Sequence, residues 1–516
     1  MAYAVRGTPA SVQAGRSQDN PPSRTGMAGF CRITAVLALA CLTSACLVGP
    51  DYARPSVETP LAFKEAIPAP AKGWTAILPD DAAPRGAWWS VFRDPELDRL
   101  VRLIDVDNQS LRQALSTYEQ ARAAVQQTRA QLFPTVIGAP SIRQSGSGDV
   151  ARTSLTLQGS ASWELDLFGR IRRGIESSAA SAQASAANVA LVRLTLQSEL
   201  TTNYFQLRYQ ESLQRLLTET ITAYRKSLEI ARNQYAAGVA ARSDVITAET
   251  QLQTTQAAAI AVELRRATFA HAIAILTGHP PSEIALPQGR LASRLPSIPG
   301  SLPSRLLERR PDIAQAERLV QAQSARIGVA VAAFYPSVNL SASGGIAGDP
   351  TGAFFAAGNQ FWSVTGAATD VLFDGGARSA ALRAARAAYD AAVAAYRQSV
   401  LTAFREVEDG LAGARILERQ QQVQQAAAAF AIRAVEIALN EYRAGTQNYT
   451  TVITAQAIEL NSRVAVLQLQ LARFTNVVGL IRALGGGWDV RSLPSQGELL
   501  AIELPIDSTQ ALHADE

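Results

Sequence analysis

The chain has 516 residues, 47% hydrophobic and only 18% charged, with a formal net charge of +4. Residues 1–46 hold four Arg and one Asp, so the remainder carries 44 basic and 43 acidic residues, a balance that leaves no footprint for nucleic acid. Histidine occurs only at His271, His279 and His513 and no nucleophile–base constellation is visible, so the chain reads as neither an enzyme nor a holder of a metal or cofactor. Alanine supplies much of the apolar share, which suits closely packed helices and an elongated helical body.

Met27 to Arg32 opens a short basic segment, and the apolar run Ile33–Leu42 is too short to span a bilayer. Thr43, Ser44 and Ala45 then precede Cys46. Residues 27–45 read as a lipoprotein signal peptide, with Met27 as the expected start and 1–26 as an upstream extension. Cys31 and Cys41 leave with the signal. Cys46 is then the lipid attachment site, which holds a protein at a membrane without a spanning helix.

Residues 46–95 are Pro-rich and form an N-terminal anchor and equatorial segment, docking through Trp74, Trp88, Trp89 and Phe92. Glu96 to Leu132 is predicted as one helix, with Leu97, Leu100, Val101 and Ile104 on its inner face. After Pro134 the period changes. Leu155, Leu157, Gly159, Ala161, Trp163 and Leu165 alternate with polar residues, as in a strand with one apolar face. Gln158, Glu164 and Asp166 are expected to face a lumen; the carboxylate pair reads better as polar lining than as an acid/base pair. Ser337–Ser343 alternates likewise, while 135–146 and 361–372 are noisier. No further transmembrane segment is assigned.

No Pro or Gly interrupts Ile175 to Ala237, and Leu213, Leu217, Ile221, Tyr224, Leu228, Ala231 and Tyr235 make a coiled-coil seam on a helix of roughly 95 Å. A turn at Gly238 leads to a return helix, Arg242–Leu276. The same pattern recurs from Ala377 to Ala444, where Gly410 and Gly413 are expected to loosen the helix. It then turns at Gly445 and returns over Tyr449–Leu484. Tyr235, Gly238 and Val245–Ala248 come back as Tyr442, Gly445 and Val452–Ala455, an offset of 207. The chain is therefore a duplicated strand–long-helix–hairpin unit, mainly α with transmembrane β. Its first repeat is 96–277, a Pro-rich equatorial linker is 278–311, the second repeat is 312–488 and the C-terminal equatorial tail is 489–516. Each long helix is about as long as two shorter ones laid end to end. Four strands cannot close a barrel, and open edges are not tolerated in lipid, so the chain must oligomerise.

Read together, Cys46-Leu-Val-Gly-Pro-Asp-Tyr-Ala-Arg-Pro55, Trp88-Trp89-Ser-Val-Phe92-Arg-Asp-Pro95, Trp163-Glu-Leu-Asp-Leu-Phe-Gly-Arg170, Leu307-Glu-Arg-Arg-Pro-Asp-Ile313, Ala333-Phe-Tyr-Pro336 and Leu372-Phe-Asp-Gly-Gly376 resemble the TolC-like outer membrane efflux factors. Within these they are most similar to the OprM/NodT-like lipoproteins of RND-type systems. The resemblance implies a homotrimer with a 12-stranded outer-membrane barrel continuous with a periplasmic α-helical barrel. It also implies a periplasmic adaptor (membrane fusion) protein, an inner-membrane RND-type pump, and passive export of small molecules such as drugs. Leu47 after the lipidated cysteine favours the outer membrane. The gate would map to Tyr442, Arg443, Thr450 and Thr454, where relatives often carry Leu and Asp at the two threonine positions. The adaptor-contact tips would comprise Gly238, Arg242, Asp244, Gly445, Asn448 and Tyr449. The competing reading is a periplasmic coiled-coil scaffold lipoprotein, against which the clean strand at 155–165 argues.

Overall fold

The long helices, the return helices and the four strands follow the predicted order in a computed structural model that describes residues 47–60, 62–65, 87–148, 150–296, 309–349, 352 and 354–501. Cys46, the signal segment, Trp74, His513 and residues 297–308 of the linker lie outside the described residues. The helices are α1 (Pro95–Asp107), α2 (Gln109–Ala130), α3 (Arg170–Ala236), α4 (Arg242–Leu276), α5 (Pro311–Ala332), α6 (Ala377–Arg443), α7 (Tyr449–Ala483) and α8 (Gln496–Leu500). The strands are β1 (Thr135–Ser147), β2 (Val150–Leu165), β3 (Ser337–Gly348) and β4 (Gln360–Thr369).

The helix predicted over 96–132 is two. Asp94 caps α1 by accepting from the Glu96 and Leu97 amides, with Pro95 in the first turn. Asn108 then adopts an extended backbone (φ −67°, ψ 121°) and its side chain accepts from the Leu111 amide to start α2. The break serves a joint: Asn108 Nδ2 donates to the Leu276 carbonyl at the end of α4, 2.7 Å away. The second repeat builds the same joint with another residue. Arg310, the N-cap of α5, donates to the Ala483 carbonyl at the end of α7, 3.0 Å away. Gly278 (φ +81°) and Gly485 (φ +92°) close the two joints, and a Cβ on either would collide with the backbone carbonyl of Asp107 or Arg309. Thus α4 stacks on α2, and α7 on α5, each pair beside a 67-residue helix.

Helix neighbours define a curved wall. Towards the strands the order is α2–α3–α5–α6; towards the tips it is α4–α3–α7–α6. The antiparallel sheet runs β1-β2-β3-β4, the order of the helices to which each strand connects. Sheet and helices are one four-element wall with the same two open edges.

Register resolves the noisy strands. Leu157 pairs with Pro140 and Ile346, Trp163 with Leu340, Ala342 with Val364, and Gly344 with Trp362. One face therefore carries Val136, Ile142, Leu155, Leu157, Trp163, Leu340, Trp362 and Val364. That face is uncovered: Val136 is 75% exposed, Ile142 71%, Trp362 81% and Val364 73%.

Gly410 and Gly413 do not loosen α6, which is helical throughout. They admit α7: a Cβ on Gly413 would strike Asn476, whose Nδ2 donates to the Gly410 carbonyl at 2.9 Å. Helix α7 also contains an 18-residue stretch of mean hydropathy 1.5, long and apolar enough to cross a membrane, where the sequence reading assigned none. Its place is the wall. It packs between α3 and α6, and Arg463 and Arg473 pair with Glu219 and Glu418 of those helices at 2.9 and 3.5 Å.

Two extended segments lie along the wall. Residues 47–60 and 62–65 start at the strand–helix junction, where the Val48 amide donates to the Phe168 carbonyl and buried Arg173 donates to the Val48 and Gly49 carbonyls and pairs with Asp51 at 2.8 Å. They then pass Glu317, which accepts from the Tyr52 hydroxyl at 2.6 Å, and reach Glu408, which accepts from the Lys64 and Glu65 amides. Residues 287–292 cross α3 and α7 at mid-height. Arg208 donates to the Pro287 carbonyl at 2.7 Å, Glu211 accepts from the Gly289 amide at 2.9 Å, and Gln470 donates to the Ala292 carbonyl.

Candidate functional site: the hairpin tips

Each tip closes with the same backbone device. The Val239 and Thr446 amides donate to the Gln234 and Glu441 carbonyls, and the Gly238 and Gly445 amides to the Tyr235 and Tyr442 carbonyls. Both glycines sit at positive φ (+75° and +71°), the αL cap that ends a helix without a Cβ penalty. Asn448 accepts from the Thr451 amide to start α7, whereas Ala241 starts α4 without a side-chain cap.

Between the tips lies a buried cluster of Tyr224, Leu228 and Ala231 from α3, Ala248 and Leu252 from α4, Ala438 and Tyr442 from α6, and Tyr449 and Val452 from α7. The Tyr442 and Tyr449 rings meet at 5.0 Å and 58°. Tyr442 is 5% exposed and its hydroxyl makes no hydrogen bond among the described residues. Burial first, then the Asp244 carboxylate in the first turn of α4, push its pKa up. Tyr449 is raised as well, by burial and then by Tyr442 and Asp244. Burial thus disfavours the phenolate of both rings, consistent with their place in an apolar seal between the hairpins.

The expected site residues divide. Gly238, Arg242, Gly445 and Asn448 stand exposed at the tip, and Asp244 is half-buried. Tyr449, expected at the contact surface, is 2% exposed; it is a core residue because the start of α7 turns its ring onto Tyr442. Arg443 is exposed and donates to Asn440 at 3.2 Å. Thr450 and Thr454 are exposed in a stripe with Ile458, and the Thr454 hydroxyl is spent on the Thr450 carbonyl at 2.9 Å. At the other end, Gln158 and Glu164 lie on the polar face of β2, but Glu164 is held by Arg170 at 2.7 Å. Asp166 lies past the strand and accepts from the Ile171 and Arg172 amides. It caps α3 and lines no strand face.

Sequence reasoning missed a polar tie beside the cluster. Gln456 Nε2 donates to Ser227 Oγ at 2.7 Å, and the Tyr224 hydroxyl donates to the Gln456 carbonyl at 3.2 Å. Gln456 and Ser227 are 3% and 2% exposed. Tyr224 was legible as a seam residue. A Gln among the polar positions of α7 carries no mark that would single it out.

The family description "Outer membrane efflux protein" matches residues 100–279 and 302–486. The toluene efflux pump outer membrane protein TtgC of Pseudomonas putida is 32% identical over 467 residues, 88% of this chain and 96% of that one. The chain belongs to the outer membrane efflux protein family. The cation efflux system protein CusC of Escherichia coli is 28% identical over 89% of this chain and 99% of its own. The solved outer-membrane channel OprN superposes with a TM-score of 0.78 at 31% identity, covering 86% of this chain and all of that one. The protein is thus an efflux channel of the outer membrane, its relatives are channels rather than enzymes, and the scaffold alternative falls. The uncovered apolar face of the sheet is what such a location demands.

Proposed function

We propose that the chain is one third of a passive homotrimeric duct in which three sheets pair edge to edge as a 12-stranded barrel and three helical walls close into one periplasmic tunnel. The observation that carries this reading is the matched pair of open edges, β1 with α2/α4 on one side and β4 with α6 on the other. An unpaired strand edge in lipid leaves backbone donors and acceptors unsatisfied at several kcal/mol each, and only another copy can pair it in the same antiparallel sense. The free edge of α6 carries Ile416, Val423, Phe430 and Ile437 at strict seven-residue spacing, 52%, 72%, 67% and 58% exposed, a coiled-coil seam without a partner in its own chain. Tyr235, the repeat counterpart of buried Tyr442, is 47% exposed because the hairpin that would cover it is a neighbour's.

In this assembly Cys46 carries the acyl anchor next to Leu47, which contacts the strand–helix junction at Gly169. The tips are the closed end and the surface offered to a periplasmic adaptor, through Gly238, Arg242, Gly445 and Asn448, while an inner-membrane RND-type pump supplies the energy. The Tyr442 and Tyr449 rings, packed in the cluster between the hairpins, hold the gate shut from within one chain. Thr450 and Thr454 leave it without a leucine plug or an acidic ring. The names of the relatives span toluene and cations, so the duct accepts small molecules broadly and the cargo is chosen upstream.

Single-particle imaging of the detergent-solubilised protein tests the reading. A three-fold hollow particle with a tunnel of about 100 Å below a membrane collar is expected. A dimer, or a solid rod, would refute it.

A further inference from the structure

Below the strap formed by residues 287–292, α7 is recessed between α3 and α6 and leaves a trough of about 470 Å³. Leu216, Leu291, Ala428, Ile432, Val466 and Leu467 give it an apolar stretch, beside the ion-paired Glu219 and Arg463 and the polar Ser212 and Gln425 on the same lining. Its head is cationic, where Arg215 of α3 and Arg290 of the strap both line it. Among the described residues, Arg215 gives hydrogen bonds only to backbone carbonyls, those of Glu211 and Gly289. The acidic groups nearby are already engaged: Glu211 by Arg208 and Arg266 at 2.7 and 3.1 Å, and Glu219 by Arg463 at 2.9 Å. Arg290 has no ion pair among the described residues. The Arg215 guanidinium is pushed below its ordinary pKa by burial and then by Arg290, with Glu211 a smaller opposing influence. Two like charges at the end of an apolar trough are stabilised by an anion placed between them, and guanidinium forks suit a carboxylate or sulfonate.

We propose that this mid-height trough binds an amphipathic organic anion, its acidic head between Arg215 and Arg290 and its apolar body along Leu216, Val466 and Ile432. Charged groups that fix the head and apolar side chains that hold the body are the usual make-up of a small-molecule site. The walls come from both hairpins and the roof from the strap, so an occupant ties α3, α6 and the linker together. A free fatty acid and an acyl lipid with an anionic headgroup share this chemistry.

The test is equilibrium dialysis of 1-naphthoate against the full-length acylated protein in amphipol, with empty amphipol as blank and 1-naphthalenemethanol as the uncharged analogue. Saturable binding of one naphthoate per chain is expected. Arg290→Glu should weaken it at least tenfold and Ile432→Gln several-fold, while Arg225→Glu, an exposed charge outside the trough, leaves it unchanged. Equal binding of the alcohol, unchanged binding in Arg290→Glu, or no saturable binding would overturn the proposal. Arg290 is exposed, so its substitution leaves folding intact, and retention of the oligomeric mass in that variant confirms this. Mass analysis of the extract from freshly purified protein separates the sources: a free acid or an intact lipid at one per chain supports the site and names its occupant, and neither above the Arg290→Glu background counts against it.

Discussion

Replacing Gln456 by Ala removes the donor that satisfies Ser227 between α3 and α7, beside the tip cluster. In the closed arrangement the buried Ser227 oxygen, 2% exposed, then loses the side chain that donates to it. Leaving one such group unsatisfied costs about 1–3 kcal/mol, and the penalty vanishes once the hairpins separate and water enters. The opening equilibrium of each chain should therefore shift by about 5- to 150-fold towards the parted state, and in the proposed trimer three chains acting on one gate would compound the bias. Single-channel recording in planar bilayers reads this as a higher open fraction, with the fully open conductance unchanged. The control is the double variant Ser227→Ala with Gln456→Leu, which removes both polar groups and should return close to the wild-type record. An unchanged open fraction in Gln456→Ala, or a double variant as leaky as the single one, would refute the idea that this tie holds the two hairpins together.

Other expectations follow from the same geometry. Phe430→Glu places a charge in the middle of the exposed heptad of α6 and should convert the proposed trimer to monomer on native mass measurement, whereas Arg225→Glu should not. Arg310→Met breaks a 7%-exposed cation away from Asp312 and Glu406, paired at 2.7 and 2.8 Å. The loss should be about 3 kcal/mol, the lower end for a buried pair, because both carboxylates keep 27% exposure; a fall in the thermal midpoint reads it. Asp374 accepts from the Gly376 and Arg378 amides at the start of α6, and the Arg378 side chain, then these amides, hold its pKa at about 2, below the usual 3.8. Since the folded value is depressed, the cap is intact above pH 4 and is lost as pH falls through 2. Amide hydrogen exchange in the first turn of α6 should lose protection over that window, and Asp374→Asn should remove the dependence.

Much of this protein is local physics and so is written in the chain. The two long helices need only uninterrupted helix-forming sequence, the tips need a glycine that tolerates positive φ, and β2 needs alternation; the tips fall where the residues place them, while β2 and the first long helix each begin five residues earlier than read. The duplication follows from offsets alone. What the chain withheld depends on partners far apart in sequence. The split at Asn108 exists to meet Leu276, 168 residues on, and Arg310 meets Ala483 across 173. Gly410 and Gly413 look like helix weakeners until α7 is laid against them. Tyr449 looks like a tip residue until the second hairpin folds back and buries it. Asp166 looks like the next step of a polar strand face until α3 begins and claims its carboxylate. The noisy strands became an apolar face only when register set Pro140 beside Leu157 and Trp362 beside Gly344. Period and capping act over a few residues; register, close approach and burial are properties of pairs, and only the tertiary structure supplies the second member.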